Sequence, residues 1–88
     1  MSDSNAFQQA SEDVKNLKQR PGNDDLLSLY ALFKQATDGD VAGKRPGMLD
    51  IKGRAKYDAW AKLKGKNPSD SQAEYIQLVE SLKGKYGF

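Results

Sequence analysis

Eighty-eight residues, with 14 lysines and arginines against 12 aspartates and glutamates, carry a net charge of only +2, too mild for a general nucleic-acid binder. Splitting so short a chain would leave pieces unable to bury a core, so residues 1–88 read as one domain. Cysteine and histidine are absent, which removes disulfides, thiolate metal sites and the commonest nucleophiles and general bases; neither an enzyme nor a metal or cofactor protein is expected.

The start, Met1-Ser2-Asp3-Ser4-Asn5, has neither the basic residues nor the apolar run of a signal peptide, and no window approaches the roughly 20 apolar residues of a membrane span. A cytoplasmic protein is the expectation. Helical periodicity then appears four times. The first helix is predicted from about Ser4 to Lys18, with Ser4 as N-cap and Phe7, Ala10, Val14 and Leu17 as its buried stripe, and Pro21-Gly22 ends it. The second begins near Asn23 or Asp24, whose side chains can accept first-turn N–H groups, and runs to about Thr37. Leu26, Leu29, Phe33 and Ala36 form its apolar stripe, widened by Leu27 and Leu32.

Asp38 to Leu49 contains three glycines and a proline and is long for a connection in a compact domain, so it can cross the bundle and allow parallel helices. The third helix is capped by Asp50 and is expected to reach about Lys64, where Gly65 supplies a permissive stop. The fourth starts at Asn67-Pro68 or Ser69 and carries Ile76, Val79, Leu82 and Tyr86. Short connections make the first and second helices, and the third and fourth, antiparallel pairs. With no sustained apolar alternation, the fold class is all-α, a four-helix bundle.

Two stretches go beyond what a bundle needs. Tyr30, Phe33 and Lys34 fall at i, i+3 and i+4, placing two rings and a cation on one helix face. Lys52, Arg54 and Lys56 crowd the start of the third helix, where the macrodipole disfavours positive charge, and from Ile51 to Lys66 six cations face one Asp58. An anion carrying a flat, stackable group suits this pattern. Core packing is the competing reading for Phe33 and Trp60, and Tyr75 fits core or site equally. Asp38-Gly39-Asp40 is no calcium loop, because the twelfth position is Leu49, and the spacing of Gly39 and Gly43 is wrong for a phosphate-binding loop.

The assembled pattern resembles the acyl-CoA-binding protein family over essentially the whole chain. The likeness rests on Asp13-Val14-Lys15-Asn16-Leu17-Lys18, Leu29-Tyr30 to Asp40, Arg45-Pro46-Gly47-Met48-Leu49-Asp50, Lys52-Gly53-Arg54-Ala55-Lys56-Tyr57-Asp58-Ala59-Trp60, Tyr75-Ile76 and Lys85-Tyr86-Gly87. It implies an up-down-down-up bundle with an overhand crossing between helices 2 and 3. It also implies a small monomeric carrier of long-chain fatty acyl-CoA that buffers and delivers its ligand, with transient contact to acyl-CoA-using enzymes or membranes. By the same resemblance the ligand contacts fall on Lys15, Tyr30, Phe33, Lys34, Lys52, Lys56 and Tyr75. Lys34 and Lys56, with the Tyr30 hydroxyl, would hold the ribose 3′-phosphate. Phe33 would offer a face to adenine, Lys15 and Lys52 would lie near the other phosphates or the chain head, and Tyr75 would help line the cavity. Phe7, Val14, Leu17, Ile76 and Leu82 resemble a mini-core joining helices 1 and 4. Phe33 stands where the family commonly has tyrosine, Tyr57 where it has a tryptophan bordering the acyl chain, and Arg54 where lysine is common.

Two other classes draw on the same residues. A helical nucleic-acid module would bind polynucleotides with steep salt dependence and need no acyl chain. A protein-interaction bundle would use the same exposed faces.

Overall fold

The computed structural model describes residues 3–88 and consists, within them, of helices and no strands. Helix α1 spans Asp3–Asp13 and is followed by a 3₁₀ turn, Val14–Asn16; α2 spans Asn23–Thr37, α3 Ile51–Ala61 and α4 Pro68–Tyr86. The cap expected at Ser4 concerns a side chain outside those described. α1 stops earlier than its periodicity predicts. Leu17 is extended and the Lys18 N–H reaches the Gly87 carbonyl at 2.9 Å, so the chain is pulled onto the end of α4 while Val14 and Leu17 still pack on the core.

Neither Asn23 nor Asp24 caps α2. Gly22 takes that position with extended backbone, and its carbonyl accepts the Leu26 N–H at 3.0 Å. α3 is also shorter than expected: after Ala61 the bonds Leu63 N–H to Trp60, Lys64 N–H to Ala61 and Lys66 N–H to Leu63 tighten the chain to i, i+3 turns. Gly65, at φ 91°, then makes the stop in the left-handed region that a side chain disfavours. α4 begins as predicted, with Pro68 in its first turn and the Asn67 side chain accepting the Ser69 N–H at 2.7 Å.

Contacts between helix ends give the directions. Gln35 near the end of α2 bonds to Lys66 just before α4, and Tyr86 at the end of α4 bonds to the start of α2, so these two run antiparallel. Asp13 at the end of α1 pairs with Lys83 late in α4, which makes α1 and α4 parallel. The Trp60 indole N–H, at the end of α3, donates to Gly39 just beyond α2 at 2.8 Å, and Lys56 lies over Tyr30, so α3 is parallel to α2. The result is up-down-down-up with an overhand crossing. The packing order is α1, α4, α2, α3, and the short connections join helices of opposite direction that do not pack backbone to backbone.

Phe7, Ala10, Leu29, Leu32, Ala36, Tyr75, Val79 and Leu82 form the core, drawn from α1, α2 and α4. α3 adds one buried side chain, Trp60. Sequence reading missed the polar hub under this crossing. Gln35 is fully buried; its Nε2 donates to Asp40 Oδ1 and to the Lys66 carbonyl, both at 2.9 Å, and Asp40 Oδ1 also accepts the Gly65 N–H at 2.8 Å. These bonds tie α2, the crossing loop and the α3–α4 connection together, and they hold the Asp40 carboxyl below the usual range, the Gly65 N–H first.

At the other end the Tyr86 hydroxyl donates to Asp25 at 2.6 Å and accepts the Gly22 N–H at 3.0 Å. Tyr86→Phe leaves both groups short of a partner and is expected to cost about 1–2 kcal/mol in urea unfolding with helicity retained. The Tyr86 hydroxyl, with Lys85, lowers the Asp25 pKa, and Lys83, with Gln9, lowers that of Asp13. Both carboxylates are therefore ionised in the folded chain at pH values where the unfolded chain binds protons. Their stabilisation is present above about pH 4 and is lost as pH falls through the depressed folded values. Urea midpoints should fall on acidification below that pH, with a shallower slope in Asp25→Asn. A third expectation concerns Gly53, where a Cβ would land on the Asp50 carboxylate that caps α3. Gly53→Ala should fail to give the roughly 1 kcal/mol stabilisation that the exchange ordinarily brings in a helix, as read from the same urea curves.

Candidate functional site

Because α2 and α3 run parallel, the first turns of one face the first turns of the other. Between them lies a cleft of about 520 Å³ with Leu26, Leu27 and Ala55 as its apolar walls and Arg20, Lys52 and Lys56 as cations among its lining. A second, shallower cleft of about 350 Å³ opens between α2 and the α1 and α4 side of the bundle, over Tyr30, Phe33 and Tyr75, with Lys15 and Val14 at its edge. Leu26 belongs to both, and Lys56 Nζ stands 5.5 Å from the Tyr30 ring centre, so the two adjoin as one trough across a face of α2. A third cleft, about 450 Å³, lies on the other face of α2 over Leu27, Ala31, Leu32, Ala59 and Leu63 and contains none of the seven predicted site residues.

Six of those seven, Lys15, Tyr30, Phe33, Lys52, Lys56 and Tyr75, thus line the trough. Lys34 does not. Its ammonium is ion-paired with Asp38 and lies 5.0 Å from the Trp60 ring centre. The hydrogen bond from Asp38 raises the Lys34 pKa, and Lys34 in turn lowers that of Asp38. An anion arriving at Lys34 competes with this carboxylate.

The rings have separate duties. Phe33, a core candidate by periodicity, is 37% exposed, because one side stacks on Phe7 at 5.4 Å while the remainder faces out. Tyr75 is buried yet lines the second cleft, edge-on to Phe7 at 5.1 Å and to Phe33 at 5.8 Å, and burial pushes its phenol pKa up. It serves as core and wall at once. Trp60 is core and lines none of these three clefts. Tyr57 turns its hydroxyl onto the crossing loop, donating to the Gly43 carbonyl at 3.1 Å, and lines none of the three clefts.

At the start of α3 the Asp50 carboxylate accepts the Gly53 N–H at 3.0 Å. The helix terminus is thereby closed by the chain's own anion, and attraction for a ligand rests on the lysine side chains. Lys52 and Lys56 make no ion pair among the described residues, whereas Lys34, Arg45, Lys66, Lys83 and Lys85 each hold a carboxylate. Arg20 belongs with the former group and was not singled out from sequence. The available signal was its place immediately before Pro21, at the chain reversal that opens onto α2. Among the described residues no group of three or more acidic, histidine or cysteine side chains could hold a metal ion, and no helix is long and apolar enough to cross a membrane.

A family model described as acyl CoA binding protein matches residues 4–79. The chain is 53% identical to an acyl-CoA-binding protein homolog from Drosophila melanogaster, over 94% of this chain and 96% of that one, and 52% identical to acyl-CoA-binding protein homolog 1 from Caenorhabditis elegans, over 93% and 95%. Its structure superposes with a TM-score of 0.90 on the crystal structure of acyl-CoA-binding protein 2 from Oryza sativa, at 38% identity, covering 94% of this chain and 90% of that one. A trough lined by cations, three of them unpaired among the described residues, and by aromatic rings on an up-down-down-up bundle, together with these likenesses, places the chain in the acyl-CoA-binding protein family.

Proposed function

We propose that this protein binds long-chain fatty acyl-CoA esters with high affinity and acts as an intracellular acyl-CoA carrier and pool former. It holds and releases the thioester without converting it, residues 1–88 forming one binding domain. The observation that carries this reading is the continuity of the trough across Leu26. One ligand with a long aliphatic chain, several phosphates and a flat base engages both clefts together.

The aliphatic chain lies between α2 and α3 over Leu26, Leu27 and Ala55. Each buried methylene contributes about 0.8 kcal/mol, so a dozen of them outweigh the polar contacts. The adenine lies on the outward side of Phe33. Lys56 and the Tyr30 hydroxyl hold the 3′-phosphate together with Lys34, which exchanges Asp38 for it; Lys15 and Lys52 serve the remaining phosphates or the chain head. The 5.5 Å approach of Lys56 to the Tyr30 ring supports the first of these assignments. The ligand is the only small molecule required, with no metal. The protein works as a cytoplasmic monomer and meets acyl-CoA-using enzymes or membranes transiently. The nucleic-acid reading is not favoured, because the net charge is only +2 and the cations of the trough adjoin apolar walls that a polynucleotide does not use.

Calorimetric titration with palmitoyl-CoA, free CoA and palmitate tests the reading. Tight one-to-one binding is expected only for the joined molecule, and comparable affinity for free CoA would contradict it. Lys56→Ala removes a charge-assisted phosphate contact and is expected to weaken palmitoyl-CoA binding about tenfold to a hundredfold. Asp38→Asn should act in the opposite direction. Freed from its carboxylate, Lys34 is available to phosphate, and affinity should rise about threefold to tenfold. Palmitoyl-dephospho-CoA, which lacks the 3′-phosphate, should show no such gain.

A further inference from the structure

Three large apolar side chains within four residues stand almost wholly in solvent: Met48 is 78% exposed, Leu49 100% and Ile51 77%. The only other large hydrophobic side chains exposed among the described residues are Phe33, explained by the trough, and Phe88. This is not the splay of a loose loop. The Tyr57 hydroxyl donates to the Gly43 carbonyl, Arg45 grips Asp58 through two bonds at 2.9 and 2.7 Å, and Arg54 Nε donates to the Pro46 carbonyl at 3.0 Å. The Asp50 N–H closes a turn on Gly47 at 3.0 Å, and the Asp50 carboxylate is turned onto the Gly53 N–H. The side-chain bonds anchor the inner side of the loop to α3, the Asp50 turn fixes its tip, and the apolar side chains are left outward.

We propose that Met48, Leu49 and Ile51 form a preordered wedge that inserts into the interface of a membrane carrying anionic lipids. Two features select a bilayer over a protein partner. Met48 and Leu49 stand at the tip of the turn closed by Asp50 on Gly47, exposed and in none of the three clefts, so the patch is a small projecting knuckle, which a fluid interface accommodates and a folded surface must match in shape. Lys44 and Lys52, on either side of the knuckle in sequence, make no ion pair among the described residues, so their charge is available to lipid phosphate, while the intervening Asp50 and Arg45 are occupied. Because the loop is already fixed, insertion orders little that was free. Ile51 and Lys52 also line the cleft between α2 and α3, so the inserted knuckle sets the mouth of that cleft at the lipid surface. Its use in collecting or releasing a chain rests on the carrier reading; the docking itself does not.

The test is flotation of the unliganded protein with vesicles of phosphatidylcholine, alone or mixed with phosphatidylserine. The wild-type chain should associate with the mixed vesicles and much less with phosphatidylcholine alone. Met48→Gln combined with Leu49→Gln should lower that association about tenfold, with an unchanged urea midpoint and palmitoyl-CoA affinity within about twofold of wild type. Lack of wild-type association, or equal association of the double variant, would overturn the proposal. Equal binding to both vesicle types would overturn the part given to Lys44 and Lys52. Concentration-dependent self-association of the wild type that the double variant abolishes would assign the knuckle to a second copy of the chain instead. Palmitoyl-CoA titration of the same samples reports separately on the carrier function.

Discussion

The overhand crossing between α2 and α3 is the constraint on which the rest of the structure depends. By returning the chain to the end where α2 began, it lays α3 parallel to α2 and brings Lys52 and Lys56 beside Leu26, Leu27 and Tyr30. A short antiparallel connection would have faced those lysines with the far end of α2. The crossing is held by polar bonds rather than by burial: Gln35 and Asp40 under its start, Trp60 on Gly39, Tyr57 on Gly43, and Arg45 and Arg54 at its close. α3 accordingly carries little of the core and packs on α2 alone. The gap left between α3 and α4 is the room in which clefts form on the faces of α2.

Charge placement follows a similar economy. Outside the trough several cations are matched by carboxylates that also fasten the ends of the helices, as with Lys83 and Asp13 or Lys85 and Asp25. Inside it, Arg20, Lys52 and Lys56 have no such partner, Lys15 holds only the exposed Glu12, and the positive charge left over favours an anion from outside. Lys34 is the intermediate case. Its ion pair with Asp38 satisfies the empty protein, and under the proposed function the same contact that steadies the end of α2 sets part of the cost of binding a phosphate there.

Much of this was legible in the sequence where periodicity and local chemistry agree. The Asn67-Pro68 start and the Asp50 cap were read correctly because each depends on a few neighbouring residues, whereas α3 ends at Ala61, short of Gly65, where the chain tightens into i, i+3 turns. The misplaced ends have tertiary causes. α1 stops at Asp13 because Lys18 bonds to Gly87, and Asn23 and Asp24 lose the cap of α2 to Gly22, whose N–H is taken by a tyrosine at the far end of the chain. The rings and lysines of the trough stood out because a bundle has no use for them. Gln35 and Arg20 did not, since their roles arise only when the crossing brings distant segments together. The pairing of Lys34 with Asp38 is an i, i+4 contact that the sequence spacing carries beside its neighbouring rings.

The central claim, that one ligand occupies the trough on one face of α2, is tested most directly by following backbone and side-chain NMR shifts during titration with palmitoyl-CoA. The largest changes are expected at Arg20, Tyr30, Phe33, Lys52, Lys56 and Tyr75, with Ser28, Ala31, Ala59 and Leu63 on the opposite face nearly still. Saturating shifts concentrated at those last four, with the trough residues unmoved, would contradict it.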